Sequence, residues 1–297
     1  MTEDRIVREI NALNQRGGRM LSAIDLLAAG TLDLKLAAFL MRTVRKGASI
    51  LGCAGPGGTG KTTLMGALLC FLPANALIKV VEKHQPFSWY EEQSDPQAPT
   101  WFLCHELGPG SWYSYLWGEG ARTFLSMPNQ GRFCATTVHA DNLGELRRLV
   151  QGREIGLSPQ DFARLDLVLF IRALRVQGTG RWQRRVTEVC LGTGDPKETH
   201  RSVCRWDPTT DGFIWNLEEA ESSSTGPTGE KMVSRPWLSG RRPQPDKKAS
   251  KADHIPAKLQ PYYAFLRNLQ AQRITALEDV RSEVLRFYHS SPPTLTP

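Results

Sequence analysis

The sequence has no apolar run long enough to cross a bilayer. Its longest, Leu64 to Ile78, is broken by Gly66, Pro73 and Asn75, whereas a spanning helix needs about 20 consecutive apolar residues. Charges recur from Met1 to Asn14, so a secretory leader, which needs a continuous apolar segment, is not predicted. Cysteine is sparse: Cys53, Cys70, Cys104, Cys134, Cys190 and Cys204 form no C-x-x-C pair and no paired spacing. That removes a structural zinc knuckle. Several cysteines lie inside apolar runs such as Ile50-Leu51-Gly52-Cys53-Ala54, where a free thiol acts as a small core residue, so reduced thiols are predicted. There is also no internal repeat. These absences predict a soluble, cytoplasmic chain.

The 297 residues exceed the usual size of one domain, so a large domain with appendages, or two unequal domains, is the default. With 40% hydrophobic residues, the chain can build an ordinary core. The formal charge of +7 is unevenly spread. Seven basic residues (Lys231, Arg235, Arg241, Arg242, Lys247, Lys248 and Lys251) stand against Asp246 alone, so this stretch carries +6 of the total. A basic segment so poor in apolar residues reads as a solvated linker, and the charge does not indicate nucleic acid.

Apolar residues at Leu34, Ala37, Ala38, Leu40, Met41 and Val44 have helical spacing and stop at Gly47, a favoured residue just past a helix end. Ala48 to Ala54 reads as a buried strand, Gly55 to Thr62 as a glycine-rich turn, and Thr62 to Leu72 as a helix ended by Pro73. Two further apolar runs, Ala76–Val81 and Thr100–Cys104, each lead to a carboxylate, Glu82 and Glu106. Arg132 to Val138 and Leu165 to Ile171 read as strands, with helices around Tyr113–Leu125 and Asn142–Gly152. This alternation predicts an α/β fold with a mostly parallel twisted sheet covered on both faces. Its ligands bind at the C-terminal strand ends, where the glycine loop, Glu82, Glu106 and His139 fall.

Beyond Ala173, the short runs Arg184–Val189, Ser202–Trp206 and Gly212–Trp215 read as antiparallel edge strands. Residues 221–253 hold thirteen Gly, Pro and Ser and read as a flexible linker. Ala257–Gln272 and Ala276–His289 then form amphipathic helices in a small C-terminal appendage. The expected organisation is an N-terminal helical segment over 1–30, a nucleotide-binding domain over 31–220, the basic linker over 221–253 and the helical segment over 254–297.

Gly55-Pro56-Gly57-Gly58-Thr59-Gly60-Lys61-Thr62 matches G-x-x-x-x-G-K-[ST] between a strand and a helix. Glycines let backbone N–H groups turn toward phosphate oxygens, and the helix N-terminus adds partial positive charge. Lys61 reaches the β and γ phosphates in this reading, the Thr62 hydroxyl ligates Mg²⁺, and Thr63 follows in the same turn. Mg²⁺ takes one or two carboxylates beside the phosphates. Glu106, after its apolar run, has the form of a Walker B acid, the plain alternative being a solvated strand terminus. Glu82 is placed to orient or deprotonate a water, although a Glu at a strand end is commonplace. His139 closes a third strand, where an imidazole either senses the γ phosphate or has a structural role.

Taken in order, Leu36-Ala37-Ala38-Phe39-Leu40, the P-loop, Val80-Val81-Glu82, Cys104-His105-Glu106-Leu107 and Ala135-Thr136-Thr137-Val138-His139-Ala140-Asp141 resemble the secretion ATPases of type II and type IV systems. That family, of RecA-like P-loop NTPases, includes the motors of type IV pili and archaella. Asp166-Leu167-Val168-Leu169 and Arg184-Arg185-Val186-Thr187-Glu188-Val189 continue the likeness, which runs from about Thr31 to Trp215. The resemblance implies ATP and Mg²⁺ as ligands, a hexameric ring, an inner-membrane secretion or pilus-assembly partner, and a position at the inner face of the membrane. It assigns water activation to Glu82 (the "Asp box"), Mg²⁺ to Glu106 and the γ phosphate to His139 (the "His box").

Departures accompany it. Lys83 follows Glu82 where Asp is usual, Gly108-Pro109 replaces an Arg-Gly pair, and Asn129-Gln130-Gly131-Arg132 stands where Thr-Gly-His is typical. Fifty-four residues precede the loop, fewer than the family's arginine-bearing N-terminal domain, so the resemblance implies a shortened and divergent motor. Arg42, Arg122 and Arg132 are the substitutes the sequence offers, and nothing in it selects among them. The rival readings are an assembly subunit that binds nucleotide but barely hydrolyses it, a DNA-translocating ATPase using the basic stretch, and, last, a small-molecule kinase.

Overall fold

The computed structural model describes residues 4–14, 17–55, 57–85, 87–88, 98–129, 131–176, 178, 180–216 and 255–290. The predicted linker over 221–253, with its basic cluster, lies outside the described residues, as do Pro56 and Gln130.

Helices α1 (Arg5–Ala12), α2 (Ala23–Ala28) and α3 (Leu34–Arg45) precede β1 (Ile50–Ala54) and α4 (Lys61–Leu69). Then come β2 (Leu77–Val80), β3 (Thr100–Leu107), β4 (Tyr115–Leu116), α5 (Gly118–Ser126), β5 (Arg132–His139), α6 (Leu143–Gln151) and α7 (Pro159–Ala163). The long strands β6 (Leu167–Arg175), β7 (Trp182–Gly192) and β8 (His200–Asp207) lead to β9 (Gly212–Trp215) and the helices α8 (Gln260–Ala271) and α9 (Leu277–Ser290). Among the described residues the strands form one nine-stranded sheet, in the order β2-β3-β5-β1-β6-β7-β8-β9, with β4 beside β3. Pairing is parallel from β2 through β6 and antiparallel from β6 to β9. The expected mixed α/β architecture with antiparallel edge strands is thus the one observed.

The buried strands read as continuous apolar runs because both faces are covered. Every residue of β1 is buried. Alternation sends Ile50, Leu167, Leu169 and Ile171 into one apolar cluster with the helices on that side, while Leu51, Cys53, Val168 and Phe170 enter a second cluster with Phe124, Leu146 and Phe162. All six cysteines are buried free thiols, and burial pushes those of Cys53 and Cys134 well up.

Local signals account for most boundaries. Asp33 caps α3 by accepting from the Leu36 amide at 2.6 Å, and Gly47, at φ +92°, supplies the left-handed turn after it. Three expectations change. The Tyr113–Leu125 segment is not one helix: Tyr115–Leu116 pairs with β3 before α5 begins. The helix predicted to Leu72 ends at Leu69. Finally, β3 runs on to Leu107, so Glu106 sits inside the strand instead of following it.

The C-terminal helices share the first apolar cluster with α1–α4 through Leu266, Leu269, Val280, Val284 and Tyr288. Arg281, 2% exposed, pairs with Asp4 at 2.9 Å. It also donates to the Cys70 carbonyl at 3.2 Å and to that of Leu72. The Tyr288 hydroxyl donates to the Phe71 carbonyl at 2.8 Å. These groups satisfy carbonyls at the C-terminal end of α4, where a cation also complements the helix dipole.

Candidate nucleotide-binding site

The glycine loop leaves the end of β1 and enters α4. Gly58 and Gly60 have φ of +86° and +103°, and Gly60 is the N-cap of α4. Only glycine takes this conformation without strain, so the loop can turn its amides inward. At Gly55 the requirement is space. A Cβ there would lie 2.7 Å from both carboxylate oxygens of Asp141, and the Gly55 amide donates to Asp141 Oδ1 at 2.8 Å.

Parallel pairing of β1 with β5 sets Ala54 beside His139. Consequently the imidazole stands against the loop, its Nδ1 2.5 Å from the Gly55 carbonyl. Lys61, buried in the first turn of α4, places Nζ 3.2 Å and 3.4 Å from the two ring nitrogens. The same Nε2 lies 3.3 Å from Glu106 Oε1. With the ring protonated this contact is an ion pair. Glu106 reaches it through an irregularity in the β3–β5 ladder: Cys104 pairs with Thr136 but Leu107 with Val138, one extra residue on β3. The Thr137 hydroxyl holds that segment by donating to the His105 carbonyl at 2.7 Å.

Lys61, His139 and Glu106 are therefore brought together. Thr62 and Thr63 are half-buried in the first turn of α4, Gly57 and Gly58 are exposed in the turn, and Thr59 is buried. Glu82 is exposed directly after β2, the strand beside β3 and third from β1, about 14 Å across the sheet at normal strand spacing. Its neighbours are held firmly. The Ser114 hydroxyl donates to the Val81 carbonyl at 2.8 Å, and the Lys83 amide to that of Tyr113 at 2.7 Å. His105, which accepts from Trp112 Nε1 at 3.0 Å, braces the same loop, and burial pushes its imidazole down to about 4.

Arg132 opens β5, at the opposite end of the strand from His139, and Arg42 lies in α3 before β1. Arg122 pairs with Glu119 on α5 at 3.8 Å. Two residues at the loop went unassigned from the sequence. Asp141 receives the Gly55 amide, and Arg184 on β7 donates from Nη2 to the Gly58 carbonyl at 3.0 Å. In the sequence Arg184 stands only within a segment of the family resemblance, with no role given; strand alternation is what sends it and Arg185 to opposite faces.

The residues present fit a phosphate-bound Mg²⁺. The Thr59 hydroxyl is buried without a partner, and the loop carries no side-chain cap on its helix. Among the described residues no cluster of three or more His, Cys, Asp or Glu could hold a metal ion. Mg²⁺ needs no such cage, since it keeps its waters and adds one or two protein ligands to the phosphate oxygens.

No protein-family profile and no curated protein matches the chain. Among the solved structures similar to it are two ATPases. One is the VirB11 ATPase from the Brucella suis type IV secretion system, in complex with sulphate: 23% identity, 57% of this chain and 54% of that one, TM-score 0.36. The other is the Legionella pneumophila ATPase DotB: 15% identity, 57% of this chain and 56% of that one, TM-score 0.37. The chain thus matches just over half the length of each.

Proposed function

We propose that this chain binds ATP with Mg²⁺ in the glycine loop and hydrolyses it, acting as a motor subunit of a type II or type IV secretion or pilus-like system. The convergence of Lys61, His139 and Glu106 on the loop carries the ATPase part of this reading. The motor part rests on the ordered resemblance of the sequence motifs. In this role the Gly57, Gly58 and Gly60 backbone and Lys61 hold the phosphates, Thr62 and Glu106 hold the metal, and His139 faces the γ phosphate. Glu82 orients or deprotonates the attacking water. Bound Mg²⁺ supplies charge neutralisation on the β and γ oxygens. Before phosphate enters, the Lys61 ammonium must leave the imidazole, so nucleotide and the Lys61–His139 contact compete.

In this reading the subunits assemble as a hexameric ring at the cytoplasmic side of the membrane, against an inner-membrane platform protein. No helix among the described residues is long and apolar enough to cross a membrane. Steady-state phosphate release tests the enzyme assignment. Turnover of about 0.1 s⁻¹ or more, modest for an enzyme, is expected, with loss in Lys61→Ala and Glu106→Gln. Turnover equal to that of the Lys61→Ala variant removes hydrolysis. Sizing with and without a non-hydrolysable ATP analogue tests the ring.

One observation favours a second reading, a nucleotide-binding assembly subunit with slow turnover. Arg42 and Arg132 lie away from the loop end of the sheet, and an arginine at the transferred phosphate is worth about 10³–10⁵ in rate. A partner that accelerates phosphate release on mixing would support this reading.

A further inference from the structure

Arg184 and Arg185 are consecutive on β7 and have opposite fates. Arg185 is buried and fully engaged: Nε and Nη2 donate to the two Asp211 oxygens at 2.7 Å and 2.8 Å, and Nη1 to the Ala29 carbonyl at 3.1 Å. Arg184 is exposed and leans over the glycine loop. Its Cδ lies 3.1 Å from where a Cβ on Gly60 would stand, and Nη2 donates to the Gly58 carbonyl at 3.0 Å. Between those two glycines sits Thr59, whose buried hydroxyl has no partner. Because β6 and β7 follow β1 on the side away from β5, Arg184 reaches the loop from the side opposite Lys61, His139 and Glu106.

A guanidinium has five donors in a fork that matches phosphate bidentately, and an anionic phosphate oxygen adds charge–charge attraction that a neutral carbonyl does not offer. Resting on one loop carbonyl, Arg184 is therefore poised to exchange it for a better acceptor. We propose that Arg184 is this chain's own phosphate-binding arginine. With a nucleoside di- or triphosphate in the loop, its guanidinium leaves the Gly58 carbonyl and binds a phosphoryl oxygen on the β7 side. The site then has a cation in cis on each flank, Lys61 and Arg184. This inference rests on the nucleotide-binding reading above.

The test is titration of the 297-residue chain, in Mg²⁺, with fluorescent ADP and ATP analogues, alongside melting of the nucleotide-free protein. Lys61→Ala is expected to abolish binding. Arg184→Ala is expected to weaken both nucleotides about tenfold to a hundredfold, and Arg184→Lys, a point charge without the fork, to recover part of that. Because the side chain is exposed, both Arg184 variants should melt within about 2 °C of wild type without nucleotide while losing most of the nucleotide-induced upward shift. If Arg184→Ala lowers the nucleotide-free melting temperature further, Arg184→Lys and Arg184→Gln carry the comparison. Binding by these variants within twofold of wild type, with Lys61→Ala inactive, overturns the role of Arg184 alone. Binding by Lys61→Ala equal to wild type overturns the nucleotide reading and this inference with it.

Discussion

Replacing Arg281 by Met tests whether the last helix secures the helix that follows the glycine loop. Arg281 is 2% exposed, pairs with Asp4 at 2.9 Å, and donates to the carbonyls of Cys70 and Leu72 at the end of α4. Met fills most of the volume, so the loss is chiefly electrostatic. Two buried carbonyls lose their donor, at about 1–3 kcal/mol for each unsatisfied group. Asp4, 30% exposed at its side chain, recovers part of its solvation. The sum falls at about 3–5 kcal/mol, the range for breaking a buried ion pair. For a chain of this size, that lowers the melting temperature by roughly 5–8 °C. Asp4→Ala is expected to be damaging too, since it strands a buried guanidinium. The Asp4→Ala/Arg281→Met pair should lose less than the two changes added, by about 1–3 kcal/mol. Circular-dichroism melts of the four proteins, with hydrogen exchange on α4 and α9, read this directly. Melting of Arg281→Met within about 1 °C of wild type, or strict additivity in the cycle, refutes the idea that Arg281 anchors α4.

Burial pushes the Asp166 carboxyl up to about 6, against a lowering by its bond from the Ser49 amide at 2.8 Å. The folded state thus holds the proton more tightly than the unfolded chain, whose aspartates titrate near 3.9. The stability this adds is complete below about pH 4 and disappears as the pH rises through 6, so wild type should lose up to about 3 kcal/mol relative to Asp166→Asn between pH 4 and 7. Denaturant unfolding at both pH values with no change in that difference contradicts it. Gly60→Ala places a Cβ 3.1 Å from Arg184 Cδ at φ +103°, and is expected to destabilise by about 1–3 kcal/mol and to weaken nucleotide binding at least tenfold. Unaltered binding by calorimetry would show that the loop tolerates a side chain there. Trp101, buried and stacked on Phe133 with centroids 4.5 Å apart, donates to the Ala48 carbonyl at 2.9 Å. Trp101→Phe should keep the stacking yet cost about 1–3 kcal/mol for the orphaned carbonyl, and a melt unchanged from wild type would count against that bond.

Contiguity explains what was legible. The glycine loop, its strand and its helix lie within a few residues of one another, and each step has a local rule: an apolar run, residues that accept positive φ, a helix start. Glu106 and His139 could be named as candidates because each follows an apolar run. That they share the loop's end of the sheet follows from the strand ends and the resemblance. The particular contacts at Lys61 do not, because these depend on β5 lying between β1 and β3 and on one extra residue in β3. The helix expected over Tyr113–Leu125 failed for a related reason. Its first residues are drawn into pairing with β3, and long-range hydrogen bonding outweighed local periodicity.

From the sequence alone came the α/β alternation, the glycine loop and the three acid and imidazole candidates, since short-range spacing and residue chemistry suffice for these. Tertiary structure alone decided strand order, the placement of Glu82 at β2, and the approach of Asp141 and Arg184 to the loop from 86 and 126 residues away. It also decided that the last helix caps the end of α4. Such contacts depend on how twisted layers pack and which strands become neighbours, and no local propensity encodes the distance between residues that the chain itself holds far apart.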